Sequence, residues 1–292
     1  MSVVAVVNRK GGSGKSTLAT HLAAWYAHHG ASVLLADVDR QQSTRTWLRQ
    51  RKQSRTAGSE IVGWSVDPRT FVRPPSGADF VVLDTPGGLT GLDLARVVMY
   101  ADAILMPVCD SIFDRESAAD CLAELRILPR IASGRCQIGA VGMRLDPRTQ
   151  AASVVQAWAA EQKVALVSMV GESSTYVRCI ERGLTLFDVP AAEMESELSQ
   201  WSPILQWLRP LLPAVARSTA EESRKDEGAA VIPLRPSRAV HARAPAAVAR
   251  RPAALVPPAR SAAPRPVLAA PVSPMGRLLG TLSIPRFLQR TP

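Results

Sequence analysis

The sequence has few aromatic residues, few cysteines and few histidines, and it has no long apolar run. Aromatic residues make up 5% of the 292 positions, with four cysteines and four histidines. The cysteines are scattered without a Cys-x-x-Cys pair and the histidines lack metal-ligand spacing, which argues against a disulfide scaffold or a zinc site. No run approaches the roughly 20 apolar residues of a membrane-spanning helix. We therefore expect a cytoplasmic protein with free thiols.

The chain enters an apolar run at residue 3, so we expect no signal peptide. A glycine-rich segment follows that run, Lys10-Gly11-Gly12-Ser13-Gly14-Lys15-Ser16-Thr17. Glycines between a strand and a helix expose backbone N–H groups, which form a cradle for phosphate oxygens together with the helix N-terminus. In such a P-loop Lys15 reaches the β- and γ-phosphates and the Ser16 hydroxyl binds Mg²⁺. All eight residues are therefore candidate nucleotide-binding residues.

Two further apolar runs end in carboxylates. Residues 33–37 end in Asp37, which is followed by Asp39, and residues 80–84 end in Asp84. In open α/β sheets, ligands bind at the C-terminal ends of parallel strands. Two acidic strand ends that accompany a P-loop predict a Mg²⁺–nucleotide site. The alternative for Asp37 and Asp39 is that they cap the helix after their strand.

Apolar runs alternate with helical patterns along the first 212 residues. Strands are predicted at 3–7, 33–37, 61–66, 80–84, 103–107, 137–143 and 165–170. Helices are predicted at 15–29, 42–55, 92–100, 115–131, 149–162, 175–182 and 191–212. This alternation with short links predicts an α/β fold, with a mostly parallel twisted sheet covered by helices on both faces.

Charge divides the chain into two segments. The formal net charge is +10, yet residues 1–213 carry 22 Lys and Arg against 21 Asp and Glu. Residues 214–292 carry 13 against 4 and are rich in proline and alanine. We expect 1–213 to be the folded domain and 214–292 to be a disordered basic tail. The tail arginines suit contact with phosphates or acidic surfaces, and a solubilising linker is the alternative.

The end of the tail contains a short apolar motif. Its residues lie at i, i+3, i+4 and i+7 on one helical face: Met275, Leu278, Leu279 and Leu282. Nearby residues oppose a sustained helix: Gly276, Gly280 and Pro285. We expect a motif that docks on a partner protein, with membrane targeting as the less favoured alternative.

The glycine-rich segment departs from the ordinary P-loop, because Arg9 stands where that pattern has glycine. It fits the variant K-G-G-x-G-K-[ST]-T and so resembles the ParA/MinD superfamily of partition and positioning ATPases. The resemblance covers about residues 1–212 and includes the segments 101–108, 146–149 and 180–188, while 110–114 is similar to the MipZ-like branch. Met143 and Arg144 stand where relatives often have an asparagine that reads adenine.

The resemblance implies roles for the two lysines and for the residues that follow the acidic strands. Lys10 would reach the partner subunit's phosphates across a nucleotide-sandwich dimer, while Lys15 would act within its own subunit. Asp37 and Asp84 would hold waters that are bound to Mg²⁺, and Asp39 would orient the attacking water. Gly87 would sense the γ-phosphate through its backbone.

The same resemblance implies a slow ATPase whose ATP-bound homodimer binds non-specific DNA on the nucleoid. An activating partner, ParB-like or other, would stimulate hydrolysis and release the dimer so that a chromosome, plasmid or protein cargo is positioned. Candidate DNA contacts are Arg144, Arg148, Arg178, Arg182 and Arg209. The alternatives are a MinD-like membrane-associated ATPase and, less favoured, an ATP-dependent ligase of the dethiobiotin or cobyrinate synthase type.

Overall fold

A computed structural model describes residues 1–39, 42–54, 58, 60–70 and 73–211. Seven strands lie within these ranges: β1 (Ser2–Val6), β2 (Val33–Asp37), β3 (Ile61–Ser65), β4 (Phe80–Asp84), β5 (Ala103–Val108), β6 (Gln137–Leu145) and β7 (Ala165–Gly171). They form one sheet in the order β3-β2-β4-β1-β5-β6-β7. Every neighbouring pair is parallel.

Helices cover both faces of this sheet. They are α1 (Lys15–His28), α2 (Ser43–Gln53), α3 (Gly91–Val98), α4 (Ile112–Arg126), α5 (Pro129–Ala132), α6 (Ala151–Glu161), α7 (Ser174–Glu181) and α8 (Glu195–Leu208). Side chains of α1, α2, α7 and α8 pack with Val4 and Val6 of β1. Side chains of α3, α4 and α6 pack with Val3 and Ala5 on the opposite face. The central strand is therefore apolar on both faces, and the predicted α/β fold is confirmed.

Two predicted helices have clearly different bounds in the structure. The helix expected at 191–212 begins at Glu195, after a separate short turn at Ala191–Glu193, and ends at Leu208. The helix expected at 115–131 begins earlier, at Ile112, because the Ser111 side chain accepts a hydrogen bond from the Asp114 N–H. It also ends at Arg126, and α5 begins after a break, at Pro129. Proline lacks an N–H and disfavours the helical conformation of the residue before it, so the two helices cannot be continuous.

The four cysteines are free thiols, as the sequence predicts. Cys121, Cys136 and Cys179 are buried and Cys109 is half-buried. Burial raises the pKa of the Cys136 thiol to about 12. These side chains are packing residues of the core rather than reactive groups.

Some sequence predictions fall outside the described residues. They are the domain boundary at 213, the basic tail at 214–292 and the apolar motif near its end, and they stay predictions. Within the ranges that the structure describes, none of the helices combines the length and apolarity needed to cross a bilayer.

Asp188 joins three separate parts of the domain. Its carboxylate accepts hydrogen bonds from Arg51 Nη1 and Nη2 at 2.8 and 2.9 Å and lies 2.8 Å from Nε2 of His28. It also accepts from the N–H and hydroxyl of Thr185, both at 2.7 Å. Burial alone would raise the pKa of Asp188, but these partners lower it far below its usual value. The ionised carboxylate therefore fastens α1 and α2 to the chain after α7.

We expect Asp188→Asn to lower the free energy of unfolding at pH 7 by about 3–5 kcal/mol, because it leaves buried Arg51 without its charge partner. The lowered pKa means that the stabilisation is present above the unfolded pKa of about 4 and is lost as pH falls below it. Urea unfolding at pH 7 and pH 3.5 should therefore show a difference between the two proteins that shrinks in acid.

The matched control is Asp146→Asn. Asp146 also pairs with an arginine, since Arg148 Nη2 lies 2.8 Å away, but solvent surrounds the Arg148 side chain. Its removal should leave the urea midpoint nearly unchanged, because exposed ion pairs contribute little. An equal loss in both variants would contradict the role given to Asp188.

Candidate functional site

The ends of three neighbouring strands bring the predicted carboxylates together. Val6 of β1 lies opposite Asp84 of β4, and Asp84 lies opposite Asp37 of β2. The glycine-rich loop leaves β1 at the same end and leads into α1. The strand register therefore places two acidic groups directly beside the phosphate-binding loop.

Lys10 and Lys15 occupy different environments within the loop. The Lys15 ammonium is buried and donates to the backbone carbonyl of Lys10 at 2.8 Å, which folds the loop over itself. Burial lowers the pKa of Lys15, and the Asp84 and Asp39 carboxylates oppose that effect. Lys10 itself is exposed. One cation is therefore directed into the site and the other lies on the outer surface of the loop.

The loop glycines are required by backbone geometry and by close neighbours. Gly14 has a φ of 95° directly before α1, and a Cβ there would lie 2.8 Å from Cε of Met143. Gly12 also has a positive φ, 77°. A Cβ on Gly87 would lie 3.4 Å from the Arg9 carbonyl oxygen, and the next N–H, of Gly88, donates to that oxygen at 2.6 Å. The turn after Asp84 therefore lies directly against the P-loop.

Asp84 is a buried carboxylate without a conventional partner. It is 1% exposed, and neither oxygen has a hydrogen bond of ordinary geometry to any described group. Burial raises the pKa of Asp84 to about 7, although the nearby Ser16 hydroxyl lowers it in part. A carboxylate and a hydroxyl at a buried strand end are hard oxygen ligands of the kind that Mg²⁺ prefers. These residues fit a magnesium ion, either directly or through its waters.

Asp37 is bonded to its own segment instead. Its Oδ2 accepts from the Thr44 hydroxyl at 2.7 Å and from the Arg45 N–H at 3.1 Å, both in the first turn of α2. Its Oδ1 accepts from the Asp39 N–H at 3.2 Å. Asp37 therefore caps α2, which was the alternative raised from the sequence. Its predicted second role, holding a water on Mg²⁺, stays a prediction.

An open cleft of about 710 Å³ lies beside the P-loop, a volume typical of small-molecule sites. The P-loop side of the cleft also contains Asp39, Ser43 and Gly87. The opposite wall comes from β6, β7 and α7. It consists of Met143, Arg144, Val170, Gly171, Glu172, Ser173, Tyr176 and Val177. The phosphate-binding loop and this wall of mixed apolar and polar side chains together leave room for a nucleotide.

The five candidate DNA-binding arginines lie on different elements of the domain. Arg144 lines the cleft, where it pairs with Glu172 at 3.3 Å and has a φ of 58°. Arg178 lies in α7, and Arg182 is the first residue after this helix, four positions from Arg178. Arg209 lies two residues before Leu211. The Leu211 carbonyl accepts a hydrogen bond from the Ser2 hydroxyl, at the end of β1 that is farther from the P-loop. The fifth, Arg148, forms the exposed pair with Asp146.

The sequence did not reveal two residues that support the loop. Asn8 accepts from the Lys10 N–H at 2.9 Å and donates to the Pro107 carbonyl at 2.6 Å. Glu124 of α4 accepts hydrogen bonds from both Arg9 and the Gly91 N–H. Glu124 lies 115 positions from Arg9, so no local pattern could have linked them. It connects the P-loop to the first residue of α3.

We expect Asp84→Asn to raise the stability of the nucleotide-free protein at alkaline pH. The folded pKa of about 7 exceeds the unfolded value of about 3.9, so ionisation of Asp84 disfavours the fold as pH rises between them. Asparagine does not ionise. In EDTA the variant's melting temperature should exceed that of the wild type by more than about 3 °C at pH 8, and the gain should vanish at pH 4.

The same variant should lose the melting-temperature increase that ATP with Mg²⁺ gives the wild type, since the amide is a poor magnesium ligand. Asp93→Asn is the matched control, because Asp93 lies on α3 outside the cleft and pairs with Arg96. A lower melting temperature for Asp84→Asn at pH 8 would contradict the raised pKa of Asp84.

Comparison with known proteins agrees with this geometry. A family profile described as the CobQ/CobB/MinD/ParA nucleotide binding domain matches residues 4–187. The "Maintenance of carboxysome distribution protein A" of Gloeobacter kilaueensis is 34% identical over 50% of this chain and 65% of its own length, just under two thirds. The "Chromosome-partitioning ATPase Soj" of Thermus thermophilus is 29% identical over 53% of this chain and 74% of its own.

Solved structures show the same fold at lower identity. Apo McdA from Cyanothece has a TM-score of 0.55 at 18% identity, covering 70% of this chain and 99% of its own. MinD from Aquifex aeolicus has a TM-score of 0.52 at 17% identity, covering 80% and 100%. The family match extends over most of the described domain, from β1 to Phe187, the residue before Asp188. This chain therefore belongs to the CobQ/CobB/MinD/ParA nucleotide-binding domain family and has the ParA/MinD fold.

Proposed function

We propose that this protein is a ParA-like ATPase that uses slow ATP hydrolysis to partition or position a chromosome, plasmid or protein cargo. ATP binding closes a homodimer, the dimer binds non-specific DNA on the nucleoid, and an activating partner protein stimulates hydrolysis and release. The names of two relatives, a chromosome-partitioning ATPase and a carboxysome-distribution protein, support this class of function.

The observation that carries the proposal is the contrast between the two P-loop lysines. Lys15 is buried and tied to the loop, so it can neutralise a phosphate only within its own subunit. Lys10 is exposed at the start of the same loop, where a second protomer has access to it. A second lysine with this exposure is useful to phosphoryl chemistry only if a partner subunit presents its nucleotide there.

The chain's own residues supply positioning and charge. The P-loop amides and Lys15 bind the phosphates, and Ser16 and Asp84 would hold the magnesium ion. Bound there, the ion neutralises charge on the phosphate oxygens. Asp39 lines the cleft beside Gly87, which suits orientation of an attacking water. When the γ-phosphate leaves, the segment after Asp84 loses a contact and the dimer separates.

We expect Lys10→Ala to bind ATP but to remain a monomer with ATP and Mg²⁺, because the phosphate contact from the partner is lost. Light scattering coupled to size-exclusion chromatography would measure the mass, and a fluorescent ATP analogue would measure binding. Lys15→Ala is the comparison and should lose nucleotide binding itself. An ATP-dependent dimer in Lys10→Ala would overturn the trans role of this lysine.

We expect Asp39→Ala to bind ATP, to stay dimeric and to bind duplex DNA with ATP but not with ADP. Phosphate contacts release counterions, so binding should be largely lost above about 0.2 M salt. Adding Arg178→Glu and Arg182→Glu to this background should weaken the ATP-dependent binding. Fluorescence anisotropy with a labelled duplex of random sequence would measure these effects.

The matched control is Arg135→Glu in the same background, since Arg135 is exposed on the loop before β6, away from the cleft. It should bind DNA like the parent. DNA binding that is independent of the nucleotide would assign the DNA contact to the basic tail. Absence of DNA binding by the ATP-bound dimer would contradict the nucleoid role and favour the membrane or ligase alternatives.

A further inference from the structure

A groove between α2 and β3 is separate from the nucleotide cleft. It encloses about 340 Å³. Its apolar floor includes Leu35, Leu48 and Ile61, all of which are buried, and Trp64 lies at its side. A Cβ on Gly63 would lie 2.7 Å from Cδ1 of Leu48, so the absence of a side chain on this residue lets α2 approach the strand. The groove is therefore built by close packing of a helix on the last strand of the sheet.

The rim of this groove is basic. Arg45, Arg49 and Lys52 of α2 line it and are exposed. Lys52 lies 3.4 Å from Glu60, but both side chains are about 70% exposed, so this pair exchanges readily with other partners. The other acidic residue at the groove, Asp37, is buried and already bonded to Thr44 and Arg45. The exposed charge available to a ligand is therefore positive.

The strand beside the groove ends the sheet. β3 pairs with β2 on one side, and among the described residues no strand pairs with its other side. Val62, Gly63 and Ser65 are exposed along this strand. An edge strand presents both N–H donors and C=O acceptors, and a further strand can satisfy both.

We propose that this groove binds an acidic, extended segment of another protein, which adds to β3 as a further strand and pairs its carboxylates with α2. The dimensions agree. Arg45 and Arg49 are four residues apart, about 6 Å along the helix, and alternate residues of a strand are about 6.6 Å apart. Acidic side chains at every second position would therefore follow the basic rim, while the side chains between them face the opposite side of the added strand.

Charge and hydrogen bonding select this ligand over two others. The basic tail of this chain carries 13 Lys and Arg against 4 Asp and Glu, so it would be repelled by the rim. The phosphates of duplex DNA are acceptors only, so they cannot donate hydrogen bonds to the carbonyls of β3. An acidic peptide satisfies the cations, the strand donors and the strand acceptors together.

The groove is also connected to the candidate nucleotide site, which takes this inference beyond the proposed function. Asp37 lies in the groove lining, and its Oδ2 is held by the Arg45 N–H, whose own side chain forms the rim. Binding along α2 would therefore act on a carboxylate beside Asp84. Peptide binding itself requires no ATPase activity, so it can be tested even if the proposed function fails.

The test uses the full-length protein and a fluorescein-labelled octapeptide of alternating aspartate and valine. We expect saturable binding by fluorescence anisotropy at 50 mM salt. A protein with both Arg49→Glu and Lys52→Glu should bind at least 10-fold more weakly. Arg135→Glu, an exposed charge reversal at a distant loop, should change the dissociation constant less than twofold.

A second peptide separates strand addition from attraction of charge alone. The same octapeptide with N-methyl groups on alternate residues keeps its charges but cannot donate along one edge. It should bind at least 10-fold more weakly, and amide hydrogen exchange in β3 should slow only with the unmodified peptide. Equal binding of the two peptides would overturn strand addition.

Three other results would also overturn the proposal. The first is absence of peptide binding below about 1 mM, and the second is equal binding by the double variant and the wild type. The third is duplex DNA binding that depends on Arg49 and Lys52 while the peptide fails to compete, since the groove would then be a DNA surface.

Discussion

The candidate site depends on an acidic group that is held in a buried position at the end of the sheet. Asp84 has apolar strands on both sides of it and no hydrogen-bond partner of ordinary geometry in the described structure, and its pKa is near 7 as a result. A buried carboxylate of this kind costs free energy unless a cation or donor accompanies it. The strand register fixes the position of Asp84 beside the P-loop, so a ligand that brings positive charge would stabilise the buried carboxylate there. This is why the proposed magnesium site is placed at Asp84.

Helix α2 is held at both ends by acidic residues from other elements. Asp37 of β2 binds its first turn through Thr44 and Arg45, and Asp188 binds Arg51 near its last turn. Gly183 allows the chain after α7 to contact this helix, because a Cβ on residue 183 would clash with the backbone nitrogen of Arg51. Both ends of α2 are therefore held by hydrogen bonds to acidic side chains of other elements.

The P-loop is likewise connected to the turn that follows β4. The Arg9 carbonyl accepts from the Gly88 N–H, and the Arg9 side chain pairs with Glu124, which also accepts from the N–H of Gly91. The residue that departs from the ordinary P-loop pattern therefore has a structural role in this chain. It links the phosphate-binding loop, the segment after Asp84 and α4.

The sequence alone determined the fold class, because fully apolar strands and alternating helical patterns leave few alternatives to a parallel α/β sheet. It also located the P-loop and both acidic strand ends, since these signals are local. It could not determine that Asp37 caps α2 while Asp84 is left without a partner, because identical side chains differ only in what the fold packs around them. The Glu124 bridge and the basic groove at β3 both depend on residues that are distant in sequence. Only the tertiary structure decided those, because strand order and helix packing set which distant side chains meet.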